Sequence, residues 1–250
     1  MINTYTEKEI KVMRQGGEIL AKIMRQLIKE VKPGITTKYL NKVAEDLIFS
    51  YKAEPAFKGY NGYPSALCAS LNEQIVHGIP SQRVLEKGDV LTLDLGIKYK
   101  GFYVDSAITM AIGKVDKKIK KLISVTKKAL EIGIKKAKPG NYLEDISLAI
   151  QKHAEKNGFN AVRELCGHGI GRHLHEDPQV LNYIGETPLS DGLKLKPGMV
   201  LALEPMVVMG DWRIEKSDDG FAYKSIDNST SAHFEHTIAI TKKGAKILTK

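Results

Sequence analysis

Apolar residues along the chain keep two different spacings. Ile10, Met13, Ile19, Leu20, Ile23, Met24, Leu27 and Ile28 recur at the helical period and predict a first helix over 7–31. Thr6 can cap it, Glu9 completes a capping box, and Lys32-Pro33-Gly34 stops it. Thr36-Thr37 opens a second helix with Leu40, Val43, Ala44, Leu47 and Ile48 as its stripe. Third and fourth helices are predicted over 119–138, ended by Pro139-Gly140, and over 143–157, closed by Gly158. Between and after these the period drops to two. Leu91, Leu93, Leu95 and Ile97 alternate with Val90, Thr92, Asp94 and Gly96, and the alternation resumes from Phe102 to Ala111. Strands are also predicted over 65–71, 199–204 and 231–241, the last taken as one unbroken strand. Residues 54–64 are aromatic and glycine-rich, 72–80 form a loop carrying His77, and 210–227 make a polar hairpin or loop. Residues 172–176 alternate, which puts His173 and His175 on one side if the segment is extended.

Lys98-Tyr99-Lys100-Gly101 joins the two central arms as a hairpin. A turn closed on Tyr99-Lys100 sets Asp94 opposite Asp105, with carboxylates about 5 Å apart at Cβ. A three-residue loop with a bulge at Gly101 is the alternative register. Like charges on a half-buried face need a cation between them, and this holds in any register that leaves both aspartates on one face.

Lys32-Pro33-Gly34 and Lys138-Pro139-Gly140 follow comparable helices, a weak internal repeat of about 105 residues. It predicts two similar α+β halves, about 1–113 and 114–250, in one domain spanning 1–250, with strands meeting in one sheet and helices outside.

Composition narrows the classes. With 42% hydrophobic and 27% charged residues in 250, the chain can build a full core. No apolar run reaches about 18 residues and the N-terminus lacks an apolar signal segment, so a cytoplasmic protein is expected, without membrane partners. Cys68 and Cys166 are too few for a disulfide framework and read as reduced thiols. The net charge of +9 comes with lysines spread along helices, as at 117–121 and 127–128. That is the look of a solvated surface; a weak, salt-dependent attraction to RNA or an acidic partner is the other reading.

Acids stand out on the strand faces opposite the Leu/Ile faces: Asp94 and Asp105, Glu204, and Glu235. His168 adds an imidazole from the glycine-rich stretch AVRELCGHGIGR, whose backbone something can approach closely. Each has an ordinary structural reading alone, but the same irregularity recurs on separate strands. Four carboxylates and one imidazole, with no thiolate, suit Mn²⁺, Fe²⁺, Co²⁺ or Zn²⁺. Four negative charges match two divalent ions. Two ions about 3.5–4 Å apart lower the pKa of a bridging water and polarise a carbonyl, which is hydrolytic chemistry.

The motifs GHGIGRHLHEDPQVLNY (Gly167 to Tyr183), LDLG with Asp105 downstream, ALEPM (Ala202 to Met206) and FEHTI (Phe234 to Ile238) together resemble the type I methionine aminopeptidases of bacteria, over the whole chain. The short stretch between His168 and Glu204 fits type I rather than type II. The resemblance implies the α+β "pita-bread" fold, with two pseudo-twofold halves around a central antiparallel sheet, acting as a monomer. It implies removal of the N-terminal methionine from nascent polypeptides, with a small second residue preferred. Asp94 would bind one metal, Asp105 and Glu235 bridge both, and His168 and Glu204 complete the first. Glu204 would also take the proton of the nucleophilic water. His175 would stabilise the developing oxyanion, and His77 would meet the amide nitrogen side. Tyr60, Tyr63, Cys68 and Phe221 would hold the methionine side chain, as aromatic faces suit a thioether. Transient ribosome association, without specific nucleic-acid binding, goes with the positive charge. The chain departs from the usual family pattern at Asn61, Leu165, His173-Leu174, Asn182 and Phe221, none of them a ligand position.

Two other readings stay open. A proline-type aminopeptidase or dipeptidase of the same fold usually has a further N-terminal domain, for which Met1 so close to the first helix leaves no room. A metal-free peptide-binding module would have lost ligands, and all five are in this chain.

Overall fold

A computed structural model describes residues 2–185 and 192–250. Four helices carry the 3.6-residue stripes: α1 (Glu7–Glu30), α2 (Thr37–Ser50), α3 (Lys117–Lys136) and α4 (Leu143–Lys156). The capping box of α1 forms as its residues dictate: Thr6 Oγ1 accepts from the Glu9 N–H at 3.3 Å, and the Glu9 carboxylate accepts from the Thr6 N–H at 2.8 Å. Its apolar stripe of Met13, Leu20, Ile23, Met24 and Leu27 is buried. α3 begins two residues before the expected start, because Lys117 and Lys118 extend it on the solvent side where no apolar period marks them. It ends at Lys136, short of 138, since the residue before Pro139 is disfavoured in a helix. None of the helices among the described residues is long and apolar enough to cross a membrane.

The central hairpin pairs Val90–Tyr99 with Phe102–Ala111, and its register differs from the expected one. The turn closes on Lys100-Gly101, both at positive φ (49° and 84°), so Tyr99 stays in the strand and pairs with Phe102. Asp94 therefore lies opposite Ala107, and Asp105 opposite Gly96. Both aspartates remain on one face, as diagonal neighbours rather than direct partners. A side chain at Gly96 would meet the Phe57 ring at 2.8 Å, so the glycine lets that ring cover the hairpin.

The strands do not form one continuous sheet. Glu54–Pro55 and Leu67–Leu71 flank the first arm of the hairpin, making a four-stranded antiparallel sheet. A five-stranded one runs Gly244–Ile247, His236–Thr241, Val200–Leu203, Cys166–Gly169, Glu176–Leu181. The expected last strand is broken: Ser231–His233 and His236–Thr241 belong to different sheets, with Phe234-Glu235 between them, and the strand Gly244–Ile247 follows. Side chains stitch this break to the hairpin. Thr237 Oγ1 accepts from the Asp105 N–H and donates to the Asp105 carbonyl, each at 2.9 Å. Ser106 donates to the Glu235 carbonyl at 2.9 Å, and Thr109 to the His233 carbonyl at 2.7 Å. The loop expected at 72–80 contains a strand, Gln74–Val76, paired to Tyr223–Ser225 of the hairpin that the 210–227 excursion forms.

Backbone hydrogen bonds carry the suspected repeat. Gly34 N–H donates to Leu85 O at 2.8 Å and Gly140 N–H to Leu195 O at 3.0 Å. Gly88 N–H donates to Ile112 O at 2.8 Å and Gly198 N–H to Ile240 O at 2.9 Å. Asp94 and Glu204 lie equally far along the chain beyond Gly88 and Gly198. α1 and α2 pack on one apolar cluster with the hairpin, and α3 and α4 on another around Leu201, Leu203, Ile238 and Ile240.

Candidate metal centre

Asp94 and Asp105 enter the centre from the two hairpin arms, His168 from Cys166–Gly169, Glu204 from the end of Val200–Leu203, and Glu235 from the strand break. Three of them present one donor atom each within a 4.8 Å group: Asp105, His168 and Glu235. Glu204 Oε1 stands 3.5 Å from His168 Nε2, near the separation two donors keep when both bind one ion at about 2.1 Å. All five lie on one cavity of about 420 Å³.

The electrostatics are those of a site built for cations. Asp94, Asp105 and Glu235 are 7, 4 and 2% exposed, and the Glu204 carboxylate is nearly as enclosed. Burial first, then the neighbouring acids, pushes Asp94, Glu204 and Glu235 well above the usual carboxylate range, and burial lifts Asp105 to about 7. Asp94 Oδ1 and Glu235 Oε1 are buried with no hydrogen-bond partner. Carboxylate oxygens left bare in a dry site are what bound cations would satisfy. Burial, with His175 beside it, pushes His168 down to about 3, so its ring is neutral. Its Nδ1 is 2.9 Å from the Gly169 carbonyl, which can only accept. The proton therefore sits on Nδ1 and the Nε2 lone pair faces the acids. The donor set fits divalent ions by each of these measures.

The glycines around His168 serve the sheet rather than a ligand. A Cβ at Gly167 would lie 2.4 Å from the Ala202 carbonyl, and one at Gly169 would lie 2.2 Å from that of Asp177. Residues 171–175 are bends rather than an extended segment. His175 turns onto His168 with ring centroids 4.4 Å apart, while its Nδ1 is 2.8 Å from the Tyr60 hydroxyl; His173 lines neither this cavity nor its neighbour.

Much of the remaining cavity wall is apolar or aromatic, with Asn61, His77, His175 and Lys216 as its polar members. Tyr60, Tyr63, Cys68 and Phe221 line it, with Tyr63 edge-on to Phe221 at 5.6 Å. Burial raises the Cys68 thiol, then nearby Asp94 raises it further, so it stays a neutral, apolar wall. His77 also lines the cavity, at φ 58°, a left-handed conformation costly for a residue with a side chain. Burial of its ring, then His175 and Lys216, lowers it to about 4. A second cavity of about 480 Å³ shares His77, Asp94, His168, His175 and Glu204 and continues to Leu165, Cys166, Gln179 and Met206. Sequence reasoning missed Phe57, Leu174, Lys216 and Tyr223 on the first cavity. Lys216 lies in the polar excursion, where nothing in the pattern marks it. Asn182, noted in the sequence only as a departure from the family pattern, is 1% exposed and its amide donates to the Glu204 main-chain carbonyl at 3.0 Å.

Residues 11–242 match the family model described as metallopeptidase family M24. The chain is 46% identical to methionine aminopeptidase 1 of Bacillus subtilis, over the full length of both. A crystal structure of methionine aminopeptidase from Thermotoga maritima superposes with a TM-score of 0.96 at 45% identity, covering all of both chains. The prolidase from Pyrococcus horikoshii superposes at 0.80 with 27% identity, covering 99% of this chain and 63% of that one. The fold is the pita-bread fold these proteins share.

Proposed function

The chain belongs to metallopeptidase family M24, and we propose that it removes the N-terminal methionine from nascent polypeptides by means of two divalent ions, Co, Mn, Fe or Zn. It is an enzyme, a metal-dependent exopeptidase. The observation that carries the reading is a cluster of three buried acids, the largely enclosed Glu204 and a neutral imidazole on one cavity that aromatic rings and a thiol also line.

Asp94, Asp105, His168, Glu204 and Glu235 would hold the ions. Bound there, divalent ions acidify a water and polarise a carbonyl. Glu204 takes the water's proton and returns it to the leaving amine. His175, held by Tyr60, donates a hydrogen bond to the scissile carbonyl oxygen as charge develops on it. His77, on the lining of the same cavity, meets the amide nitrogen. Tyr60, Tyr63, Cys68 and Phe221 receive the thioether, which packs well on aromatic rings. The second residue enters the neighbouring cavity, which Leu165 and Met206 help to line, and a small side chain is preferred there. The enzyme works in the cytoplasm as a monomer, and its net charge of +9 gives it a weak attraction to ribosomes that fades with salt.

Steady-state hydrolysis of Met-Ala-Ser, Met-Lys-Ser, Met-Phe-Ser and an X-Pro peptide, with added metal and with chelator, tests the reading. Met-Ala-Ser should be turned over fastest, and chelator should abolish turnover. Equal rates on the bulky second residues remove the small-residue preference, and faster X-Pro cleavage replaces the substrate assignment.

A further inference from the structure

His233 is 1% exposed, and neither ring nitrogen has a hydrogen-bond partner. Its main chain is fixed: the N–H donates to Thr109 Oγ1 at 2.8 Å, and the carbonyl accepts from the same hydroxyl at 2.7 Å. A dry imidazole with nothing to bond is costly, so its place in the core asks for a reason. Its Nε2 lies 3.5 Å from Glu204 Oε2, while the other oxygen, Oε1, lies 3.5 Å from His168 Nε2. Glu204 thus stands between two imidazoles of opposite character. His168 presents a lone pair, because its Nδ1 proton is committed to the Gly169 carbonyl. No such carbonyl commits His233, so its one ring proton is free to occupy the nitrogen that faces an acceptor.

We propose that His233 is a positioning residue that donates from Nε2 to Glu204 Oε2 and so turns Oε1 toward His168 and the ions. It rests on the reading of Glu204 as ligand and proton acceptor. Without the donor, the carboxylate is free to rotate and loses its alignment with the ligand set. Histidine ligands and carboxylates are commonly aligned by such outer partners, whose loss costs about 10–100-fold in metal affinity or activity.

The test compares the full chain with His233→Phe, which keeps a flat ring and removes the donor, and His233→Gln, whose amide N–H can replace it. Co²⁺ and Mn²⁺ affinity by calorimetry, the visible spectrum of the Co²⁺-loaded protein, and kcat and KM on Met-Ala-Ser are read. His233→Phe should lose about 10–100-fold in metal affinity or kcat, with KM within about twofold and a shifted Co²⁺ spectrum, and His233→Gln should recover most of the loss. If the phenylalanine variant does not fold, His233→Asn, with an amide too short to reach, takes its place. On a Glu204→Ala background His233→Phe should add no further loss of metal affinity. Unchanged affinity, spectrum and kcat in His233→Phe overturn the proposal alone, provided Glu204→Ala is inactive. Full turnover by Glu204→Ala overturns it together with the reading it rests on.

Discussion

Asp105→Asn measures how far the buried acids work against the metal-free fold. Asp105 is 4% exposed and a diagonal neighbour of Asp94 on the hairpin, with Oδ1 accepting from the Ser106 N–H at 2.8 Å. Asparagine keeps that acceptor and the shape of the side chain while removing the charge beside Asp94. Burial lifts Asp105 to about 7, against an ordinary value near 4 in the unfolded chain. The folded state therefore holds the proton more tightly, and its stability falls as pH rises from about 4 to about 7, then levels off. Three decades of proton affinity at about 1.4 kcal/mol each set an upper limit of about 4 kcal/mol, part of which belongs to Asp94 because the two acids share the proton. Urea unfolding in chelator at pH 5 and pH 8 checks it. The native protein should lose stability between the two, and the asparagine variant should lose less and be the more stable at pH 8. With metal added the order should reverse if Asp105 is a ligand, as proposed, since the variant gives up its charge at the metal centre. Parallel profiles for both proteins in chelator would refute the argument that these carboxylates repel one another in a dry site.

Three further outcomes follow from the same geometry. Glu204→Gln should lower kcat on Met-Ala-Ser by about 10²–10⁴-fold, and Asp94→Ala should abolish methionine release, with circular dichroism unchanged in both; retained turnover in a metal-replete assay contradicts the ligand assignments. Metal at about 100 times its dissociation constant should stabilise the chelated protein by about 2.7 kcal/mol, a rise of about 5–11 °C in Tm, and an unmoved melting curve would mean the acids do not bind it. Gly17→Ala in α1 places a Cβ 2.2 Å from the Leu248 carbonyl and should cost about 1–3 kcal/mol in urea unfolding; an unchanged midpoint would show that helix and C-terminal segment are not locked together.

The helices were legible because each buries one stripe and exposes another, so Leu20 or Ile150 is marked by its own neighbours in sequence. The strand details were less so. Tyr99 reads equally well as a turn or strand residue, and only the positive φ of both Lys100 and Gly101 places the turn and shifts the register. The break at Phe234-Glu235 was invisible because the apolar-polar alternation runs straight through it; the bonds made there come from the hairpin, far away in sequence, whose Ser106 and Thr109 hydroxyls donate to the Glu235 and His233 carbonyls. The residues singled out as a site were found from acids on strand faces and a family-like motif, and all eleven line one cavity. Lys216 and Tyr223 come from a short hairpin that no periodicity marks, and His233 was masked as a neighbour of Glu235.

The repeat explains why acids from distant segments meet, and its imperfection explains why the cavity has two ends. Asp94 and Glu204 stand at matching places, beyond Gly88 and Gly198, on strands whose partners also correspond: Leu67–Leu71 beside the first and Cys166–Gly169 beside the second. On the first partner strand Cys68 faces Asp94, and burial keeps its thiol neutral. On the second, His168 lies opposite Ala202, two residues before Glu204, and brings a nitrogen lone pair to Glu204. The place matching His168 on the first strand is held by Ser70, opposite Thr92; the Ser70 hydroxyl accepts from the Gly78 N–H, and Ser70 does not line the cavity. An imidazole in one copy and a hydroxyl in the other put a neutral donor on one side of the acids and leave the Cys68 thiol and its aromatic neighbours on the other, so the two ends of the cavity come from divergence between one pair of strands.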